Sequence, residues 1–266
     1  MTFFNRTQEF FLLLAAVACT KPPHVPVPTT GFLNRTVTVD TTTYRYQVYL
    51  PANFTSRKKW PIILFLHGAG ERGDDGLLQT QVGIGAAIRQ HAERFPCLVV
   101  FPQCRPNKVW AGEMETQALA ALDQTVKEFN GDPEQIYLTG LSMGGYGTWQ
   151  FAARHPGKFA ALVPICGGVI PPADFPFPPE AAAQIPADKP YETIAAKIGK
   201  TPVWIFHGDA DQAIPVSESR QMNEALQVLG GNVKYTEYPG IGHNSWDKAY
   251  AEPELMTWLL SQKLVS

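Results

Sequence analysis

The stretch YLTGLSMGGYGTWQFAARHP, residues 137–156, sets one serine, Ser142, among glycines at 140, 144, 145 and 147. It opens as an apolar, strand-like run and passes with no polar linker into a helical run from Tyr146 to Arg154. Glycines cluster where the backbone is strained or where another segment comes close. A strand, a sharp turn carrying a small hydroxyl between glycines two residues either side, and then a helix make up the nucleophile elbow G-x-S-x-G. In open α/β sheets, ligands bind beyond the carboxyl ends of the strands. Ser142 is expected at such an end.

Working outward, PIILFLHG (61–68), CLVVFPQ (97–103), ALVPICGG (161–168) and PVWIFHG (202–208) are nearly unbroken apolar runs. Such runs read as strands buried on both faces of a parallel sheet. Helical spacing appears at Leu119, Leu122, Val126 and Phe129 within 115–129, and at Met222, Leu226 and Leu229 within 217–229. VKYTEYP (233–239) reads as a last strand, followed by a final helix over about 253–264. Ahead of these, RTVTVD (35–40) and YRYQVYLP (44–51) alternate polar and apolar residues, as antiparallel strands do. Strands alternating with helices predict an α/β domain over 31–266: a mostly parallel sheet with helices on both faces, N-terminal antiparallel strands and a minimal cap. At 266 residues and 45% hydrophobic content, the chain can bury one large core. The proline-dense segment 170–190, with Phe175 and Phe177, breaks the rhythm; it reads equally as a lid or as an ordered surface excursion.

The first thirty residues read as an address. Arg6 precedes an apolar run, Phe10 to Ala18, too short for a bilayer core of about 30 Å but suited to a signal peptide. Ala16 and Ala18 give an A-x-A cleavage pattern, and Cys19 after it resembles the lipidated cysteine of bacterial lipoproteins, although Ala16 stands where leucine is usual. We therefore expect a signal peptide at 1–18, a proline-rich tether at 19–30, and export, either as a periplasmic or outer-membrane lipoprotein anchored through Cys19 or as a soluble secreted form. The net charge of −2 carries no large single-sign run, so nucleic acid is not an expected partner. Cys97 and Cys104 bracket a strand, which would hold them roughly 20 Å apart, beyond disulfide reach. With Cys166 they read as buried thiols without metal-ligand spacing, and neither metal nor cofactor is expected.

A serine nucleophile needs a base, and the base an acid, in the chain order Ser, Asp/Glu, His. In FHGDADQAIP, Asp211 and Asp209 compete for the acid, just past a strand end. Among six histidines, His243 in YPGIGHNSW has the right order and a loop position; His67 and His207 end strands and are expected to make structural hydrogen bonds. Backbone N–H groups of Met143 and, from the loop HGAGERGDD, Ala69 are the expected oxyanion donors. Glu71, Arg72 and Asp74 read as an ion-paired brace for that loop. Trp110 and Trp246 are candidate pocket walls, able to stack on an aromatic acyl group or a sugar, with ordinary packing as the alternative.

With LHGAGERGDD, GLSMGGYG, HGDADQAIP and GIGHNSW in order, residues 31–264 resemble the α/β-hydrolases. More narrowly, they resemble bacterial exported esterases of the predicted peptidase and phospholipase/carboxylesterase group, relatives of feruloyl esterases and polyhydroxybutyrate depolymerases. The resemblance implies a Ser142–His243–Asp211 triad, favours Asp211 over Asp209, and implies hydrolysis of carboxylic esters; the small amount of cap material points to short to medium acyl chains, and the two tryptophans to an aromatic acyl group or a polysaccharide-linked ester. Dienelactone hydrolases share the fold with a cysteine nucleophile, from which Ser142 departs. A peptidase or amidase on the same triad, and a non-catalytic binding protein with this fold, are the alternatives.

Overall fold

The computed structural model describes residues 30–264 except 174, 176 and 184. The expected signal peptide, most of the tether and Cys19 lie outside the described residues. Two antiparallel strands, β1 (Gly31–Val39) and β2 (Thr42–Leu50), open the described residues, and β2 runs antiparallel to β4. Next come β3 (Trp60–Leu66), α1 (Ile84–Gln90), β4 (Leu98–Pro102), α2 (Glu113–Glu128), β5 (Gly131–Leu141) and α3 (Met143–Arg154). The second half holds β6 (Ala161–Ile165), α4 (Pro179–Ala182), α5 (Pro190–Ile198), β7 (Val203–Gly208), α6 (Ser217–Val228), β8 (Val233–Tyr238), α7 (Trp246–Ala251) and α8 (Leu255–Leu260). The strands form one sheet in the order β1-β2-β4-β3-β5-β6-β7-β8, parallel from β4 to β8.

The apolar runs become the sheet centre because each side chain alternates between two cores. Ile62, Leu64 and Leu66 of β3 join Leu98 and Val100 of β4 in a cluster with Met114, Trp149, Ile194 and Met222, on the face covered by α2, α3, α5 and α6. Ile63, Phe65, Val99 and Phe101 point the other way, into a cluster with Ile84, Tyr250 and Leu259 from α1, α7 and α8. Each such fully buried aliphatic or aromatic side chain contributes about 1.5–3 kcal/mol of transfer free energy. The register of β3 on β5 shifts between Trp60 and Ile62, where Pro61 has no N–H to give the ladder.

Three details depart from the sequence reading. The final helix expected over about 253–264 is shorter, α8 alone, and a further helix, α7, precedes it; Pro253 holds Glu252 in an extended conformation (φ −55°, ψ 120°) between the two. Leu229 lies past the end of α6 and is 47% exposed, while Met222 and Leu226 are buried. Helix α3 starts at Met143, so Gly144 and Gly145 belong to its first turn.

Candidate active site

Ser142 stands between the last residue of β5 and the first of α3 with φ +54° and ψ −119°. A positive φ is rare for a residue with a Cβ and stores on the order of 1–3 kcal/mol of strain. The surrounding packing holds it there. Its N–H donates to Ile165 O at 3.0 Å, and its carbonyl accepts the Gly145 N–H at 2.8 Å. The glycines allow that packing: a Cβ on Gly144 would stand 1.8 Å from Leu66 O, and one on Gly140 2.2 Å from Gly144 O. No larger residue fits where helix, elbow and strand meet.

The structure brings Ser142, His243 and Asp211 together. The Ser142 hydroxyl lies 2.9 Å from Nε2 of His243, and Nδ1 of His243 lies 2.7 Å from Oδ2 of Asp211. With Nδ1–H donated to the carboxylate, Nε2 accepts from the serine, the arrangement a general base requires. His243 comes from the loop after β8 and its side chain is 28% exposed, whereas the Asp211 side chain is fully buried. Asp211 Oδ1 accepts the N–H groups of Ala213 at 2.8 Å and Ile214 at 2.9 Å. Oδ2 has a second histidine neighbour, Nε2 of His207 at 3.2 Å. Burial opposes the charge on Asp211, but the hydrogen bonds from His207, His243 and the Ile214 N–H outweigh it and hold the carboxyl well below the usual carboxylate range. Asp209 serves elsewhere: its Oδ1 accepts the Gly240 N–H at 2.6 Å and fastens the turn after β8.

The expected oxyanion donors flank the serine. Met143 is the first residue of α3, so its N–H has no acceptor within the helix and carries the positive end of the helix dipole. Ala69 opens a short 3-10 turn after β3, and the backbone beside it is close to the serine: a Cβ on Gly68 would lie 3.7 Å from Ser142 Cβ. His67, buried below this loop, accepts the Cys104 N–H at 2.9 Å and bonds to Gly68 O through Nδ1. Burial pulls it down to about 4, so the ring is neutral at physiological pH. The expected brace is absent: no ion pair joins Glu71, Arg72 and Asp74 among the described residues. Arg72 turns instead to the site, donating to Met143 Sδ at 3.1 Å and lying 5.6 Å from the Phe175 ring centre. Burial raises the Glu71 carboxyl, against backbone hydrogen bonds from Gly68 and its own N–H that favour the charge.

Over Ser142 lies a mostly apolar pocket of about 210 Å³, walled by Met143, Tyr146, Phe175, Phe177 and Ile214 together with His243. Pro171, Pro172, Phe175 and Phe177 of segment 170–190 thus supply part of the wall of the site. The two tryptophans do not. Trp110 is 2% exposed, its Nε1–H donates to His67 O at 2.9 Å, and its ring stands edge-on to His67; satisfied on the inside, it has no reason to face the pocket. Trp246 opens α7 and sets its ring perpendicular to His243 at 5.5 Å, packed against the α1, α7 and α8 core as a buttress for the imidazole. Cys97, Cys104 and Cys166 are free buried thiols. A Cys166 sulfur, an Asp211 oxygen and a His243 nitrogen fall within 4.8 Å of one another. Two of these three donors are committed to each other, and burial pushes the Cys166 thiol up to about 12, so the cluster is a poor metal site.

The sequence also matches known proteins. A secreted protein of Arthroderma benhamiae is 27% identical over 224 residues, covering 76% of this chain and 23% of that protein. A bifunctional acetylxylan esterase/xylanase of Neocallimastix patriciarum is 32% identical over 124 residues, 45% of this chain and 17% of that protein. The chain therefore spans less than a quarter of the length of either relative. A thermostable esterase of known crystal structure superposes with a TM-score of 0.73 at 31% identity, covering 87% of this chain and 63% of that one. The dienelactone hydrolase family profile matches residues 103–252, more than half of the chain and the whole span from elbow to His243. With serine at the elbow, the chain belongs to the dienelactone hydrolase family.

Proposed function

We propose that the protein is a serine carboxylesterase acting by two-step acyl transfer. The observation that carries this reading is the continuous hydrogen-bonded chain from Ser142 Oγ through His243 to Asp211, opening on an apolar pocket. His243 Nε2 takes the hydroxyl proton as Oγ attacks the ester carbonyl, and Asp211 stabilises the imidazolium. The Met143 and Ala69 N–H groups receive the developing oxyanion; losing one such donor typically costs about 2.7–4 kcal/mol in the barrier. The C–O bond then breaks and the alcohol leaves with the proton from His243. Water, deprotonated by the same imidazole, releases the acid and restores Ser142.

The pocket favours the acyl groups. A dry cavity of about 150 Å³ can hold a benzene ring, so about 210 Å³ suits a short alkyl chain or one aromatic ring. Phe175 and Phe177 present ring surface to either. The acetylxylan esterase relative supports an ester borne on a polysaccharide, and the secreted relative supports export, in keeping with the leader read at residues 1–18.

The test compares kcat/KM for p-nitrophenyl acetate, butyrate and octanoate, methyl ferulate and a matched p-nitroanilide, with Ser142→Ala alongside and fluorophosphonate labelling read by mass. Turnover of acetyl, butyryl or feruloyl esters that vanishes in the variant, with the label on Ser142, is the expected result. An unlabelled Ser142 overturns the triad; a better anilide than ester moves the assignment to a peptidase; a preference for octanoate overturns the acyl size.

A further inference from the structure

The buried imidazole of His207 has no place in the acyl-transfer scheme, yet it touches the triad acid. His207 is the fifth residue of β7 and is fully buried. Its Nε2 has two acceptors within reach, Asp211 Oδ2 at 3.2 Å and Ile214 O at 3.1 Å. Its Nδ1 is 2.7 Å from the hydroxyl of Ser219, itself buried on α6. Two acceptors at one nitrogen assign the proton to Nε2, and Ser219 then donates to Nδ1. All four hydrogen-bonding positions of the Asp211 carboxylate are taken: two backbone N–H groups on one oxygen and two histidines on the other.

We infer that His207, oriented by Ser219, is a positioning residue of the triad that shares Asp211 Oδ2 with His243 and so sets how tightly His243 holds its proton. This rests on the esterase reading above. A hydrogen bond to a carboxylate spreads its charge and stabilises the ionised form. While His207 holds part of that charge, the remainder acts on His243; without it, the full charge of Oδ2 faces His243 and favours the imidazolium. The base is then freed only at higher pH. Among the described residues, the other ionisable groups near the pair include Glu237 of β8, which interacts with His207 while committed to Arg220 and Tyr235, the thiol of Cys166 near His243, and the Tyr146 phenol of α3 beside Asp211, the last two kept neutral by burial.

The experiment follows kcat/KM for p-nitrophenyl butyrate from pH 5 to 9, and in parallel the ring-proton NMR titration of His243. It uses the wild type and the variants His207→Leu, His207→Gln, Ser219→Ala and Ser219→Thr. His207→Leu is expected to move the acid limb and the His243 midpoint up by about half to one pH unit, lowering kcat/KM at pH 5.5 by about three- to tenfold. Ser219→Ala should give a smaller shift in the same direction. Gln at 207, which keeps an N–H, and Thr at 219, which keeps the hydroxyl, should bring the midpoint back. A folded His207→Leu or Ser219→Ala protein whose midpoint stays at the wild-type position overturns the inference, since a residue that only fills space would lower activity without moving the profile. If His207→Leu does not fold, Ser219→Ala decides. The NMR midpoint needs no turnover: if the wild type cleaves no ester but the midpoint still moves, the esterase reading fails and the coupling of His207 to His243 stands.

Discussion

At the scale of single residues, the site separates two aspartates that lie two positions apart. Asp211 holds His243 in the tautomer that leaves Nε2 free, and Asp209 holds a turn. Asp211→Asn is expected to lower kcat by about 10⁴-fold, because an amide offers a donor where an acceptor is needed and the imidazole settles in the wrong tautomer. Asp209→Asn should stay within a few-fold of wild type, as its carbonyl still accepts the Gly240 N–H. Steady-state kinetics on both variants check this, and equal losses would sink the assignment. Ser142 and His243 were legible in the sequence because each sits just past a strand end in the chain order the chemistry needs, whereas only the family resemblance separated Asp211 from Asp209. The link from His207 to Asp211 was not: an HG pair at a strand end reads the same whichever way the ring turns. The tryptophans misled for a related reason. Nearness in sequence to a catalytic residue says nothing of direction, and an indole N–H with a carbonyl inside the fold turns inward.

At the scale of elements, the elbow depends on α3 docking against the end of β3 without side chains between them. Gly144→Ala would place a methyl 1.8 Å from Leu66 O, and backbone cannot yield as a side-chain tip can. Helix α3 would have to lift off the sheet, and destabilisation of about 3 kcal/mol is expected, read as a lower urea midpoint along with lost fluorophosphonate labelling. An unchanged midpoint would mean the contact relaxes freely. Segment 170–190 carries the other element-scale prediction. Phe175→Ala removes one pocket wall and the ring beside Arg72, so kcat/KM should rise for octanoate relative to acetate while the pH profile stays put. An unaltered chain-length ranking would remove this segment from substrate selection. The strands were legible because burial on both faces leaves unbroken apolar runs. Helix α5 was not, since it starts at Pro190 inside a proline-rich stretch that reads as loop. Helix α7 was missed as well: its six residues directly follow the His243 loop and are too few to show a helical period.

At the scale of the whole molecule, the sheet order puts the three residues of the proposed triad at the carboxyl ends of β5, β7 and β8, three strands whose loops converge on one side of the fold. A buried charge has to be held at that convergence, so the proposed catalysis and folding stability are linked through Asp211. Its carboxyl is held well below the usual range in the folded protein, against burial and by hydrogen bonds made only there. The sign follows directly. A carboxyl with a depressed folded pKa favours folding at every pH above its unfolded value, about 3.9, and that contribution fades as pH falls from there through the folded value. At pH 7, Asp211→Asn should therefore melt at a lower temperature than wild type, with both proteins measured as the same chain in the same salt. The gap should hold from pH 7 to about pH 5 and narrow below pH 4, as wild type loses an advantage that the amide never had. Thermal unfolding followed by circular dichroism at half-unit pH steps reads it. A gap that stays constant down to pH 3 would show that Asp211 stabilises the fold through shape alone, and the four hydrogen bonds on its carboxylate would then be a catalytic arrangement with no counterpart in folding.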